Sequence, residues 1–177
     1  NKIYELIEAK KIFNLDYEKF EIMIQPTSYV HAIVEFKNGI CKILSHPTSM
    51  IIPIYNSLIF TKKISSFNEG FDIKKMNNLN FQKVDRLKFP VFKLLNRLNN
   101  FDSLYETILV SANDSLVDLF LKKKIKFYDI YQTLHKVLGL NEYKKFKFLK
   151  PQNPDQIIKL SENVRLKTIS LSVQSKI

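Results

Sequence analysis

The sequence predicts an α+β protein in two parts. A helix, a strand and a hairpin make an α/β layer over residues 1–60, and a bundle-like set of four helices occupies residues 86–177, with residues 61–85 as a linker. Three observations predict this. Tyr29–Phe36 alternates as a strand does and runs into Lys37-Asn38-Gly39, where Asn-Gly tolerates the positive φ that tight hairpin turns demand. From Pro90 onward the apolar residues recur at helical spacing in four successive stretches. Between these parts, Thr61 to Asp85 is weakly periodic apart from Leu79-Asn80-Phe81.

Taken in order, Asn1 to Phe13 reads as one amphipathic helix, with Ile3, Leu6, Ile7 and Phe13 as its apolar stripe. A polar connection over 14–19 leads to a strand at Phe20–Ile24, which Gln25-Pro26-Thr27-Ser28 breaks. The next strand places Val30, Ala32, Val34 and Phe36 on one face and His31, Ile33 and Glu35 on the other, and Ile40–Leu44 runs back after the turn. Pro47 and Pro53 interrupt a loop containing Met50, and Ile54–Phe60 suits a short helix. The four later helices are expected over Val91–Leu98 behind Pro90, Leu104–Lys123, Phe127–Leu138 before Gly139, and Pro154–Val173.

Composition sets limits on function. At 177 residues and 45% hydrophobic content the chain can bury one core or two small ones. No run of about 18 apolar residues offers a transmembrane helix. The chain opens on Asn1 inside a polar helix, with no apolar leader in view, so either an N-terminal portion has been removed or the stretch is a fragment. A single cysteine, Cys41, suits a reducing compartment or a buried thiol, and His31, His46 and His135 are too scattered for a zinc site. The net charge of +11 raises a nucleic-acid hypothesis, through clusters at Lys122–Lys126 and Lys144–Lys150. Only three of the 28 cationic side chains are arginines, the residue that planar recognition of phosphates and guanine edges favours, and no nucleic-acid motif accompanies the clusters.

The first helix carries the chemistry. At about 100° per residue, Asn1, Glu5 and Glu8 share a narrow arc flanked by Lys2. An amide, an ammonium and carboxylates on one small surface can meet phosphate oxygens and a hard divalent cation together. The same residues also suit a solvated helix face with Asn1 as its cap, and the helix alone leaves both readings open.

Blocks spread along the chain resemble the C-terminal half of the 1-deoxy-D-xylulose 5-phosphate reductoisomerases. They are Asn1-Lys2-x-x-Glu5-x-Ile7-Glu8-Ala9, Pro26-x-Ser28-x-Val30-His31-x-x-Val34, Gly39 at the hairpin and Met50-x-x-Pro53-Ile54, then Leu79-x-Phe81, Phe89-Pro90, Ala112-Asn113-Asp114 and Phe127-x-Asp129-Ile130. The resemblance implies that residues 1–60 are part of a catalytic, metal- and substrate-binding domain followed by a C-terminal helical domain. It implies that Glu5 binds the catalytic Mg²⁺ or Mn²⁺, that Asn1 and Lys2 hold the substrate phosphate, with Ser28 beside them, and that Lys2, Glu5 and His31 form the catalytic set. Met50 would pack near the nicotinamide of NADPH. The implied reaction is a metal-dependent rearrangement of a phosphorylated sugar, followed by NADPH reduction to 2-C-methyl-D-erythritol 4-phosphate. The enzyme would be a homodimer in the cytoplasm of a bacterium or in a plastid-type organelle, with neither membrane nor nucleic acid as partner. Glu8 would brace Glu5 or Lys2, while Asn113 and Asp114 pair helices.

Several positions depart from the family pattern. Gln25 stands where a histidine is usual, Thr48-Ser49 precedes Met50 in place of Pro-Asp, Phe60-Thr61 replaces a Trp-Pro pair, and Val110 replaces an asparagine. None of these removes Asn1, Lys2, Glu5 or His31. The family's Gly-rich nucleotide-binding domain and its Asp-x-Glu metal pair lie N-terminal to this region, and Gly39, Gly70 and Gly139 cannot build a phosphate-cradling loop. These residues alone are therefore expected to be inactive. The alternative is a non-catalytic, basic helical binding module derived from the same family.

Overall fold

The computed structural model of the chain describes residues 1–59 and 72–174, which fall into two compact units: Asn1–Glu21 with the chain from Asp85 onward, and Ile22–Val84. The fold is α+β, as predicted. In the first unit, helix α1 (Lys2–Phe13) precedes a 3₁₀ turn (Tyr17–Lys19). A 3₁₀ segment (Pro90–Arg97) then leads into α4 (Tyr105–Leu121), α5 (Phe127–Gly139), α6 (Asn141–Lys144), a further 3₁₀ turn (Lys145–Phe148) and α7 (Pro154–Gln174). The second unit holds β1 (Met23–Ile24), β2 (Val30–Glu35), β3 (Cys41–Ser45), α2 (Ile51–Leu58), α3 (Ile73–Asn77) and β4 (Gln82–Lys83).

Helix α4 is the axis of the first unit. Leu104, Ile108, Ala112 and Leu116 recur at four-residue spacing, and each is fully buried. Leu134 and Val137 of α5, Val164 of α7 and Leu94 of the 3₁₀ segment close around them in one cluster. Polar side chains link these helices, while the buried Tyr4 hydroxyl has no hydrogen-bond partner among the described residues. Tyr105 donates its hydroxyl to the Leu138 carbonyl (2.7 Å), Ser111 bonds Ser161 (2.8 Å), and Arg165 of α7 pairs with Asp114 of α4 (2.8 Å). Asp114 thus pairs helices, the structural role its position suggested.

Sequence periodicity places α1 with the hairpin; the contacts group it with the helices. Ile3 and Ile7 enter the same apolar cluster as Ile108 and Leu109. Full burial of such a side chain stabilises by about 1.5–3 kcal/mol. The same helix brings a buried cation. Lys10, only 5% exposed, reaches Asp102 at 2.9 Å, while Lys11 reaches Glu106 at 2.6 Å. Tyr17 donates its hydroxyl to the other Glu106 oxygen at 2.6 Å, and its N–H bonds Asn100 at 2.8 Å. A charge out of water is costly unless paired, so this network admits one seating of the helix. Asn14 ends α1 in the left-handed region (φ 50°), which asparagine tolerates better than most residues.

Three further elements depart from expectation. The stretch behind Pro90 is 3₁₀ rather than α-helical; Val91 with Leu94, and Leu95 with Leu98, are spaced by three, which suits a three-residue turn. The strand expected over Phe20–Ile24 shrinks to Met23–Ile24, because the preceding residues close a 3₁₀ turn in which the Phe20 N–H bonds the Tyr17 carbonyl. Part of the expected linker is structured: α3 is capped by the Asp72 side chain, and β4 pairs antiparallel with β1. Residues 60–71 lie outside the described residues, and with them Phe60-Thr61, Gly70 and the end of the helix expected over Ile54–Phe60.

In the second unit β2 and β3 form the expected antiparallel hairpin. Its turn is closed by the Phe36 N–H to the Ile40 carbonyl (2.8 Å), with Gly39 at φ 83° where a side chain would be strained. Ile33, Val34, Ile43 and Leu44 are all exposed, and Tyr29 is the buried residue among those described in this unit. Cys41 is exposed, as are Lys42, Ile43 and Leu44 of β3, so it is not a buried thiol.

Two outcomes follow from the seating of α1. Ile7→Ala is expected to cost about 3 kcal/mol in urea unfolding of the helical unit, whereas Ile12→Ala, at a position 75% exposed, changes it by about 0.5 kcal/mol at most. Acid should also loosen the helix. The bond from Lys10 holds the Asp102 carboxyl below its ordinary value, helped by the charges of Lys11 and Lys10 against the opposing effect of burial. A depressed carboxyl stabilises fully above its unfolded pKa and loses that contribution as pH falls through the folded one. Asp102→Asn is therefore expected to flatten the acid limb of a stability–pH curve.

Candidate functional site

The first turn of α1 gathers three of the residues singled out from sequence. The Glu5 carboxylate receives the Asn1 amide on Oε1 and the Lys2 ammonium on Oε2, each at 2.5 Å. Spacings of three and four residues on one helix turn make this possible, since such positions lie one above the other. Asn1 spends its side chain on Glu5 rather than on capping, and its backbone carbonyl takes the N–H groups of Tyr4 (2.8 Å) and Glu5 (3.2 Å). All three side chains remain open to solvent, with Lys2 60% and Glu5 44% exposed. An exposed pair of this kind stabilises the fold by about 0–1 kcal/mol, so the cluster is available for a ligand. Glu8 is exposed one turn further on, and the partners that Glu5 takes are Asn1 and Lys2.

Ser28, His31 and Met50 belong to the other unit. The Gln25–Ser28 turn is closed by the Ser28 N–H to the Gln25 carbonyl (2.9 Å), and Ser28 sits at φ 51°, uncommon outside glycine. Gln25 does more than replace a titratable group: its side-chain oxygen accepts the Tyr29 N–H at 2.7 Å and so fixes the entry to β2. His31 lies where the β2–β3 register slips, between the pairs Val30–Ser45 and Ala32–Leu44. The simple alternation that set His31 opposite Val30 and Ala32 is interrupted there, because a bulged residue has no partner across the ladder and its side chain is re-aimed. His31 Nε2 lies 3.1 Å from the His46 carbonyl, and the two imidazoles stack. Met50 stands at the N-terminus of α2, 69% exposed. Among the described residues no three His, Cys, Asp or Glu side chains gather closely enough to hold a metal ion, and Glu5 has no such companions. Nor is any described helix long and apolar enough to cross a membrane.

These placements can be set beside known proteins. The DXP reductoisomerase C-terminal domain matches residues 44–167. The chain belongs to the DXP reductoisomerase family, through its C-terminal domain. A 1-deoxy-D-xylulose 5-phosphate reductoisomerase of Pelagibacter ubique (strain HTCC1062) is 57% identical over 175 residues, covering 98% of this chain and 45% of that protein. One from Sulfurihydrogenibium sp. (strain YO3AOP1) is 35% identical over the same share of this chain and 44% of its own. Among solved structures, a DOX-P reductoisomerase in complex with NADPH, fosmidomycin and magnesium superposes with a TM-score of 0.88 at 26% identity, over 99% of this chain and 44% of that one. The enzyme from Zymomonas mobilis in complex with NADPH gives 0.77 at 27% identity, over 95% and 43%. The chain therefore spans a little under half the length of the reductoisomerases it matches.

Helical spacing put Asn1, Glu5 and Glu8 on one arc flanked by Lys2; the structure joins Asn1, Lys2 and Glu5 and leaves Glu8 apart. Sequence reasoning missed what His46 and Gln25 do. The signal for His46 was present in the hairpin register, since a turn at Asn38-Gly39 brings the residues beside Ser45 back to those beside Val30.

Proposed function

We propose that this chain is the substrate-, metal- and helix-bearing part of a DXP reductoisomerase, and that it works together with an N-terminal NADPH-binding region of the kind its relatives carry. The observation that carries the reading is the Asn1–Lys2–Glu5 cluster, which holds an amide, an ammonium and a carboxylate on one exposed helix turn. Asn1 and Lys2 supply donors for the phosphate of a phosphorylated sugar, with Ser28 as a further hydroxyl, and a charged donor–phosphate bond is roughly twice as strong as a neutral one. With phosphate bound, the amide and the ammonium would turn from Glu5 to the ligand, leaving its carboxylate free to hold a cation. The self-paired arrangement thus keeps each side chain on the working face in the free protein.

Glu5 fits Mg²⁺ or Mn²⁺ as one hard oxygen ligand, but one carboxylate is too few, so the remaining ligands come from outside this stretch. When bound, the cation polarises carbonyl and hydroxyl oxygens of the sugar and NADPH supplies the hydride. His31 offers a ring nitrogen for proton transfer or for orienting a hydroxyl, and exposed Met50 offers an apolar surface to the nicotinamide. The exposed hairpin residues Ile33, Val34, Ile43 and Leu44 support the same reading, since antiparallel sheets ordinarily cover at least one face. The assembled enzyme acts as a homodimer.

The 177-residue chain alone is expected to oxidise no NADPH with 1-deoxy-D-xylulose 5-phosphate. Joined behind the N-terminal part of the Pelagibacter relative, it should show Mg²⁺-dependent turnover. Glu5→Gln should then lower kcat/KM by about 100-fold or more, beyond the 10–100-fold typical of residues that merely brace a ligand. Its effect on stability should stay below about 1 kcal/mol because its present pairing is exposed. Turnover by the isolated chain, or full activity in the Glu5→Gln fusion, contradicts the assignment.

A further inference from the structure

The hairpin holds a second histidine, His46, directly after β3. Its ring lies against that of His31, with centroids 3.7 Å apart and planes 15° from parallel. Two hydrogen bonds set the orientation of the pair. His31 Nε2 lies 3.1 Å from the backbone carbonyl of His46, and His46 Nδ1 lies 2.6 Å from the carbonyl of Pro47. A carbonyl oxygen has lone pairs and no proton to give, so each of these ring nitrogens is the donor. A neutral His31 is then the Nε2–H tautomer with its lone pair on Nδ1, while a neutral His46 is the Nδ1–H tautomer with its lone pair on Nε2. The two rings carry opposite tautomers.

The backbone beneath them is held as well. His46 donates its N–H to the Tyr29 carbonyl at 3.1 Å, and the Tyr29 N–H is taken by the Gln25 side chain at 2.7 Å. Tyr29 itself is buried, and its hydroxyl accepts the Asp72 N–H at 3.2 Å. A bulge aims His31 out of the ladder and would leave its ring free to rotate. The stacked ring of His46 removes that freedom and its carbonyl selects the proton position.

We infer that His46 is a positioning residue for His31: it clamps the imidazole plane and locks the Nε2–H tautomer, so that Nδ1 is the nitrogen His31 presents as an acceptor. This rests on the reading of His31 as a site residue only for its consequence in turnover; the clamp stands on the hairpin geometry alone.

The test is long-range ¹H–¹⁵N NMR of the ¹⁵N-histidine-labelled 177-residue chain, at an alkaline pH where the ring ¹⁵N shifts have stopped changing. Opposite tautomers are expected, with His46 in the Nδ1–H form that free imidazole side chains disfavour. His46→Phe keeps the stacking face and the backbone carbonyl, and should leave the His31 pattern unchanged. His46→Gly removes the ring and should move the His31 signals to those of a mixture, while the Ala32 and Ile43 amide shifts report whether the hairpin is intact. The same tautomer in both rings, averaged His31 signals in the unaltered chain, or an unaltered His31 pattern in His46→Gly with the hairpin intact overturns the clamp. In the Pelagibacter fusion, His46→Gly should lower kcat about tenfold with KM little changed, short of the 10²–10⁴ that a proton-transferring group carries, and His46→Phe should restore it. Equal kcat in all three forms rejects the functional part. A fusion with no turnover counts against the proposed function, and the NMR result still decides the clamp.

Discussion

The seating of α1 on α4 is the constraint on which the placement of Asn1, Lys2 and Glu5 depends. Ile3 and Ile7 supply apolar area to the shared core, and area alone has no direction. Direction comes from the ionic network: Lys10 on Asp102, Lys11 and the Tyr17 hydroxyl on the two oxygens of Glu106. Glu106 is 4% exposed, so removing either partner would leave charge in a place where water cannot reach it. Breaking such a pair typically costs about 3–5 kcal/mol, more than the pair contributes net, which makes the network a device for selecting one geometry. The same contacts shift the groups involved. Burial raises the Tyr17 hydroxyl pKa and the Glu106 bond raises it further, while for Lys11 the pull of Glu106 and Asp102 outweighs a burial effect of opposite sign.

That geometry has a functional consequence. Asn1, Lys2 and Glu5 occupy the first turn of a helix whose later turns are locked, so their positions derive from the bundle rather than from the local chain. A helix of 12 residues would be marginal in isolation. Docked, it becomes a rigid mount for an exposed cluster whose own pairing adds little stability. In the proposed role rigid mounting would matter, since a site that must orient two ligands together loses rate steeply when its groups drift by about an ångström. The second unit uses a different device. His31 stands at a register slip in a thin hairpin, and the stacked His46 does locally what the bundle does for α1.

Much of this was legible in the sequence, for identifiable reasons. Spacing placed Asn1 and Glu5 on one arc flanked by Lys2, though it added Glu8, which the structure leaves apart; Asn38-Gly39 located the hairpin, and the blocks of matching residues identified the family that the C-terminal-domain match establishes. The roles of the site residues remain a proposal resting on those placements. What sequence did not disclose depends on distance or on backbone detail. Lys10 and Asp102 are 92 positions apart, so nothing local ties α1 to the helices. The apolar stripe of α1 said that it packs, not on what. The 3₁₀ segment behind Pro90 differs from an α-helix by one residue in its turn, and its apolar pattern suits both. A bulge follows from the register of two strands, so neither the aim of His31 nor its stacking on His46 could be read from alternation.

The most direct test of the account is native-state amide hydrogen exchange on the 177-residue chain, because it reads the stability of α1 separately from that of the bundle. The account predicts that the amides of Ile7, Lys10 and Lys11 open together with those of Ile108 and Ala112 in α4, and that Glu106→Ala uncouples them. Amides in α1 that exchange as a frayed terminus, while α4 stays protected, would contradict the claim that the bundle holds the helix bearing Asn1, Lys2 and Glu5 in place.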